Sequence, residues 1–278
     1  MEERIKGLIL AGSGLIIFGA IGIFVKHMQF SVPIILFFFN LFGALGAFII
    51  MKHRKHKNYI GSKKALLLLI VFALMNDFFF WTSYKLTTVA NTILSHYTMP
   101  IFLVILAPFL LKEKFKSIYI ISILLSFTGL GIMLLQGLEV TNLAGIMFGV
   151  ASGIMYALLI IYYKKTLRNN SVYVVNFYRF LISIIILLPI FLLEGPAFTT
   201  SDVMPIIAFG TIFAIIATSL HINGIKRLKA NEAGIIGYVE PLASITFGVV
   251  LLSQVPTLST LIGGTLILTG TYLVIRST

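Results

Sequence analysis

The chain alternates between apolar runs of 18 to 23 residues and short polar connections. An apolar run of about 20 residues can cross a bilayer, and in lipid it must be helical because its backbone N–H and C=O groups need internal partners. The longest polar connection, 52–64, is too short to form a separate domain. The pattern therefore predicts an all-α integral membrane protein with ten transmembrane helices, at 7–25, 32–51, 65–84, 89–111, 118–135, 143–163, 172–193, 203–225, 233–254 and 258–275.

The composition agrees with this prediction. Hydrophobic residues make up 59% of the 278 positions and charged residues only 11%, too few to solvate a globular surface of this size. The absence of cysteine excludes disulfides and thiolate metal sites. The net charge of +12 is spread over many short loops, so we expect no nucleic-acid partner.

The distribution of Lys and Arg predicts the orientation. If the N-terminus is cytoplasmic, 18 of these 21 residues fall on the cytoplasmic side, Lys26 and Lys85 fall outside, and Arg179 lies within a span. The first apolar run follows Arg4 and Lys6, but no small-residue cleavage pattern follows it, so we interpret it as a retained span. We predict a multi-pass protein of the cell (inner) membrane with both termini in the cytoplasm.

The two halves of the chain repeat each other. An offset of 141 residues places Tyr97 on Tyr238 and Pro100 on Pro241, and earlier spans match at offsets of 138 and 140. Residues 1–138 and 139–278 each hold five predicted spans. Because five is an odd number, the first repeat starts in the cytoplasm and the second starts outside, so the two repeats have inverted topology. Such repeats are typical of secondary transporters, whose substrate site lies near the midplane between the halves.

Several short motifs occur in a recognisable order. They are Lys6-Gly7, the run 85–91 leading into Tyr97-x-x-Pro100, Leu111-Lys112-Glu113, Phe177-Tyr178-Arg179-Phe180, Tyr238-Val239-Glu240-Pro241, and the glycines 263, 264 and 270. In these features the chain resembles the drug/metabolite transporter superfamily, in particular its ten-helix EamA-type members. Two positions depart from the pattern. Asn40 lies where similar proteins often carry a basic residue, and Gln254 is the counterpart of Glu113 in the second repeat. The resemblance implies a proton-linked or facilitative carrier of amino acids, related metabolites or amphipathic drugs.

Five ionisable residues stand inside predicted spans, where a charge is costly and therefore a functional candidate. Asp77 and His96 lie at similar depth and are expected to meet, as are Arg179 and Glu240. Asp77, His96 and Glu240 are the proton-coupling candidates. In both pairs the alternative is a static link between helices. His221 is expected at the interface, about one helical turn from Lys226.

The paired prolines predict bends around the site. Pro100 and Pro241 each remove a backbone donor within a predicted span, which is tolerable where the freed carbonyl faces protein or a water-filled cavity. Aromatic residues crowd the same levels and could hold the apolar part of a substrate. The substrate-binding candidates are Asn40, Trp81, Tyr97, Arg179 and Tyr238.

These features favour a secondary transporter for small metabolites that works by alternating access, either proton-coupled or facilitative, with export a candidate direction. Amino acids or related zwitterions rank first, especially hydrophobic or aromatic ones, and cationic amphipathic drugs rank second. A channel or a lipid-handling protein is the other alternative. No zinc, hydrolase or P-loop motif occurs, so we expect no enzyme, no cofactor and no metal. The expected partners are a small-molecule substrate, protons and membrane lipid, with the chain a monomer or homodimer.

Overall fold

The computed structural model describes residues 2–54, 61–114, 116–135, 142–252 and 257–276, and within these ranges the regular structure is entirely helical. One segment, Gly210–Ala217, is π-helical. The α-helices are α1 (Glu2–Phe18), α2 (Ile21–His27), α3 (Val32–His53), α4 (Lys63–Leu86), α5 (Val89–His96), α6 (Met99–Leu111), α7 (Ser117–Leu134), α8 (Leu143–Leu167), α9 (Val172–Glu194), α10 (Thr200–Phe209), α11 (Thr218–Arg227), α12 (Ala230–Ile236), α13 (Val239–Leu252) and α14 (Leu258–Arg276).

In the described part, nine helices or runs of joined helices are long and apolar enough to cross a membrane, and they coincide with nine of the ten predicted spans. The remaining predicted span, 233–254, corresponds to α12 and α13, and its last two residues lie outside the described ranges. The predicted boundary between the repeats, at 138–139, also lies outside them. The chain is a helical, multi-pass membrane protein.

Helix breaks lie next to both prolines at which bends are predicted. Residues Tyr97 and Thr98 separate α5 from α6, and Gly237 and Tyr238 separate α12 from α13. Pro100 is therefore the second residue of α6, where a missing N–H leaves no hydrogen bond unmade. Pro241 is likewise in the first turn of its helix. At each predicted bend the chain thus changes from one helix to the next just before its proline.

The two halves pack through matched contacts. Helix α8 lies against α4 of the other half, and α1 lies against α11. A Cβ added at Gly145 would lie 2.7 Å from Cβ of Thr87, and one added at Gly7 would lie 3.1 Å from Cδ2 of Leu228. The offset of 138 relates Gly7 to Gly145, and the offset of 141 relates Thr87 to Leu228. The two contacts are therefore equivalent in the two repeats. The halves therefore interlock and are not two separate bundles.

Ion pairs tie together the helix ends at the face that carries the N-terminus of α1. Arg4 Nε lies 3.1 Å from Glu232 Oε1 at the start of α12, and Arg4 also donates to the carbonyls of Val274 and Ile275 at the end of α14. Because Glu232 is buried, this link is shielded from water. A more exposed pair joins Arg227 to Glu3 at 3.0 Å. These contacts join α1, α11, α12 and α14 at this face.

Candidate functional site

A cavity of about 80 Å³ lies between the halves, in the interior of the bundle. It is smaller than an engineered apolar cavity of roughly 150 Å³ that binds benzene. A molecule the size of an amino acid can therefore enter only if side chains or helices move. The cavity is lined by Phe18, Ile21, Phe39, Asn76, Asp77, Phe80, Trp81, His96, Tyr156, Leu159, Tyr163, Arg179, Thr218, His221, Ile222 and Glu240.

The lining combines equivalent positions of the two repeats. The sequence offsets assign twelve of its sixteen residues to six matched pairs: 18 with 156, 21 with 159, 39 with 179, 77 with 218, 80 with 221 and 81 with 222. Three of the pairs set a phenylalanine of the first half against a tyrosine, an arginine or a histidine of the second. Equivalent positions of the two repeats thus line the cavity, but at these three pairs only the second repeat supplies a polar side chain.

A buried ion pair crosses between the halves. Arg179 Nη2 of α9 lies 2.9 Å from Asp77 Oδ2 of α4. Asp77 also accepts a hydrogen bond from Asn76, and Arg179 Nη1 donates to the Tyr163 hydroxyl at 2.9 Å. These contacts compensate two charges that would be costly in the bundle interior.

The expected partner of Asp77 was His96, and that prediction was wrong. Both residues line the cavity, but His96 Nδ1 lies 2.8 Å from the Ser152 hydroxyl of α8. Its ring stacks on Phe80, with the centroids 4.0 Å apart, and on Tyr156. The sequence argument considered depth within one repeat only, whereas the interlocked helices offer His96 a partner from the other repeat.

The expected pair of Arg179 and Glu240 is also not formed, because Asp77 binds the guanidinium. Glu240 Oε2 instead accepts a hydrogen bond from the Tyr97 hydroxyl at 2.8 Å. Among the described residues, Glu240 forms no ion pair. It is buried and lines the cavity, so it is a carboxyl group without a neighbouring cation to neutralise it.

His221 belongs to the cavity and does not lie at the interface as expected. Its side chain is buried, and Nε2 lies 2.8 Å from the Tyr156 hydroxyl. Proximity to Lys226 misled the prediction, because α11 presents residues 221 and 226 to different surroundings. Sequence reasoning also missed Tyr156 and Tyr163. Their spacing of seven residues, which puts them on one face of α8, was the signal that could have found them.

The other predicted site residues divide into two groups. Trp81 lines the cavity. Asn40 does not line it, and its amide donates to the carbonyl of Leu36 within α3. Tyr97 and Tyr238 lie behind the lining at the two helix breaks, where the Tyr238 hydroxyl donates to the Tyr97 carbonyl at 3.2 Å.

Comparison with known proteins agrees with this architecture. The model of the EamA-like transporter family matches the chain twice, over residues 5–135 and 143–276. The chain belongs to the EamA-like transporter family. This EamA-like transporter is 26% identical to an uncharacterized transporter of Archaeoglobus fulgidus over 94% of its own length and 93% of the relative's. It is 25% identical to the Bacillus subtilis uncharacterized transporter YxxF, with 97% and 89% covered.

A solved crystal structure has the same fold. It superposes with a TM-score of 0.83 over 98% of this chain and 96% of the other, at 17% identity. The family and the relatives' names support a membrane transporter, whose substrate the chemistry of the cavity must indicate.

Proposed function

We propose that this EamA-like transporter exchanges protons for a small amphipathic metabolite that carries an amino group, and that it works by alternating access. The observation that supports this most directly is Glu240, a buried cavity carboxyl without an ion-pair partner among the described residues. A carboxyl in this setting can be neutralised either by a proton or by an ammonium group, so the two compete for one site.

The remaining lining groups fit an amino acid or a related zwitterion. Arg179 can bind a substrate carboxylate when a proton or a rearrangement releases Asp77 from it. Phe18, Phe80 and Trp81 offer apolar faces to a hydrophobic or aromatic side chain. In this scheme Asp77 and Glu240 carry protons, and His96 positions the aromatic wall through its stacking contacts.

Alternating access is supported by the two EamA-like repeats and by the ion pairs at one face. Arg4 and Glu232 join α1 to α12 at that end of the bundle. Opening this face would require those contacts to break, while the matched packing of the two repeats allows a similar motion at the opposite face. The Lys and Arg distribution supports assigning the face that carries Arg4 to the cytoplasmic side.

A cationic amphipathic drug is the second candidate substrate. It is favoured by the same Glu240 together with the aromatic lining, since aromatic faces attract cations. Unlike a zwitterion, it has no carboxylate group that would bind Arg179. Arg179→Gln in combination with Asp77→Asn therefore separates the two classes in counterflow without a pH gradient, because only zwitterion exchange should then be lost.

Counterflow in proteoliposomes tests the proposal. The purified chain is reconstituted with an unlabelled candidate inside, and uptake of a labelled amino acid or a labelled aromatic cation is followed with and without a pH gradient. Saturable counterflow that a pH gradient accelerates is the expected result. Flux that neither saturates nor shows counterflow would indicate a channel and contradict the proposal.

A further inference from the structure

A second, basic cavity lies at the face where α6, α8 and α11 end. Its volume is about 710 Å³, and five cations and one acid line it together with three leucines. Its lining comes from both repeats: Leu110, Leu111, Lys112 and Glu113 from the first, and Lys164, Lys165, Leu167, Arg168 and Lys226 from the second.

Some of these charged groups already have structural roles. Lys164 donates to the carbonyl of Leu228, and Lys226 donates to that of Asn170 at 2.9 Å. Both oxygens of Glu113 accept from the backbone N–H of Ala230, at 3.0 and 3.1 Å. The one acid of this lining is thereby engaged with backbone, and it forms no ion pair with any described residue.

The other three cations remain available to a ligand. Lys112, Lys165 and Arg168 form no ion pair with any described residue. Lys112 and Arg168 are exposed, and Lys165 lies over the ring of Tyr162 at 4.8 Å. Three cations around one opening form a site for a phosphate group, which accepts several charge-assisted hydrogen bonds.

The apolar side of the opening indicates that this phosphate belongs to a lipid. Leu110 is 36% exposed and the preceding Phe109 is 80% exposed, so the last turn of α6 presents apolar side chains beside the cations. A free phosphate gains nothing from contact with apolar side chains, whereas the acyl chains of a phospholipid pack against them. Basic pockets between membrane helices are known to bind acidic lipid headgroups.

We propose that this cavity binds the phosphate headgroup of an anionic phospholipid. The headgroup lies between Lys112, Lys165 and Arg168, and an acyl chain lies along Leu110. The site is separate from the central cavity, with which it shares no lining residue. It therefore does not depend on the identity of the transported substrate.

Equilibrium binding of a phosphatidylglycerol with a fluorescent acyl chain tests the proposal, using the purified full chain in neutral detergent. Lys112→Gln with Arg168→Gln is expected to weaken binding roughly thirtyfold, since each cation near an anionic headgroup strengthens binding roughly fivefold. Lys63→Gln with Lys64→Gln removes two exposed charges outside this cavity and should change binding less than twofold. Lys165→Gln with Arg168→Gln is a second variant, for use if the first does not fold.

Competition identifies the source of the phosphate. Unlabelled phosphatidylglycerol should displace the probe, while phosphatidylcholine and inorganic phosphate at the same concentration should not. Unchanged binding by the cavity variant, or an equal loss in the Lys63/Lys64 control, would overturn the proposal. Equal displacement by inorganic phosphate would also overturn it, since it would show a site for free phosphate.

Discussion

At the scale of single residues, the cavity contains two carboxyl groups in different settings. Asp77 faces Arg179 at 2.9 Å, whereas Glu240 accepts only a hydrogen bond from the Tyr97 hydroxyl among the described contacts. The first carboxyl has a cation as its partner, and the second has none among the described residues. The two acids are therefore expected to differ in their mutant phenotypes.

Glu240→Gln should abolish acceleration of transport by a pH gradient, because the amide cannot exchange a proton. We expect at least a tenfold loss of gradient-driven uptake in proteoliposomes, with the protein still folded. Tyr97→Phe is the matched control, since it removes the hydrogen bond and keeps the carboxyl group. Gradient-driven uptake at the wild-type rate in the Glu240 variant would contradict its assigned role.

Replacing Arg179 by methionine should destabilise the protein by about 3 kcal/mol, because it leaves Asp77 without its compensating charge in the interior. Adding Asp77→Asn should restore most of that loss, since both charges are then gone. Unfolding of the purified protein by a denaturing detergent measures both values. If the two losses simply add in the double variant, the pair does not act as a unit.

At the scale of helices, close contacts at glycine decide how the repeats interlock. A Cβ added at Gly14 of α1 would lie 2.7 Å from the Ala217 carbonyl oxygen and 2.7 Å from the backbone nitrogen of His221. Because backbone atoms cannot rotate away as a side chain can, α1 would have to move. The same contact holds His221 at the central cavity, so packing and site are coupled there.

Gly14→Val should therefore destabilise the protein by about 1–3 kcal/mol through overpacking, and should reduce transport as well. Gly12→Val is the control on the same helix, since a Cβ at Gly12 meets no atom within 4 Å. Thermal unfolding in detergent and counterflow in proteoliposomes give the two readouts. Equal stability of the two variants would show that the contact between α1 and α11 tolerates a larger side chain.

The comparison of sequence and structure shows which features a local pattern can predict. Apolar runs predicted the spans because lipid requires long helices, and Asp77, His96, Arg179 and Glu240 were found because charges in spans are rare. Their partners could not be predicted, because they depend on which helices of opposite repeats touch. The break between α1 and α2, at residues 19–20, carries no proline and was likewise missed.

At the scale of the whole molecule, the proposed transport cycle assigns the ion pairs at the face of Arg4 to a state closed at that face. Arg4 joins three elements at that face, since it pairs with Glu232 of α12 and binds carbonyls at the end of α14 while itself belonging to α1. Charge-assisted hydrogen bonds of this kind contribute roughly 1.5–3 kcal/mol each when shielded. Their loss should shift the population toward a state open at this face.

The absence of native cysteine makes this shift measurable with one introduced thiol. Thr218→Cys places the thiol in the central cavity, and a membrane-impermeant maleimide is added at the face that carries Arg4. Arg4→Gln in this background should raise the labelling rate about tenfold, the factor that corresponds to ~1.4 kcal/mol. Lys64→Gln, which removes an exposed charge outside these contacts, should leave the rate unchanged. Equal rates with and without Arg4 would mean that its ion pair does not keep this face closed, and that the barrier to entry lies deeper, among the helices around the cavity.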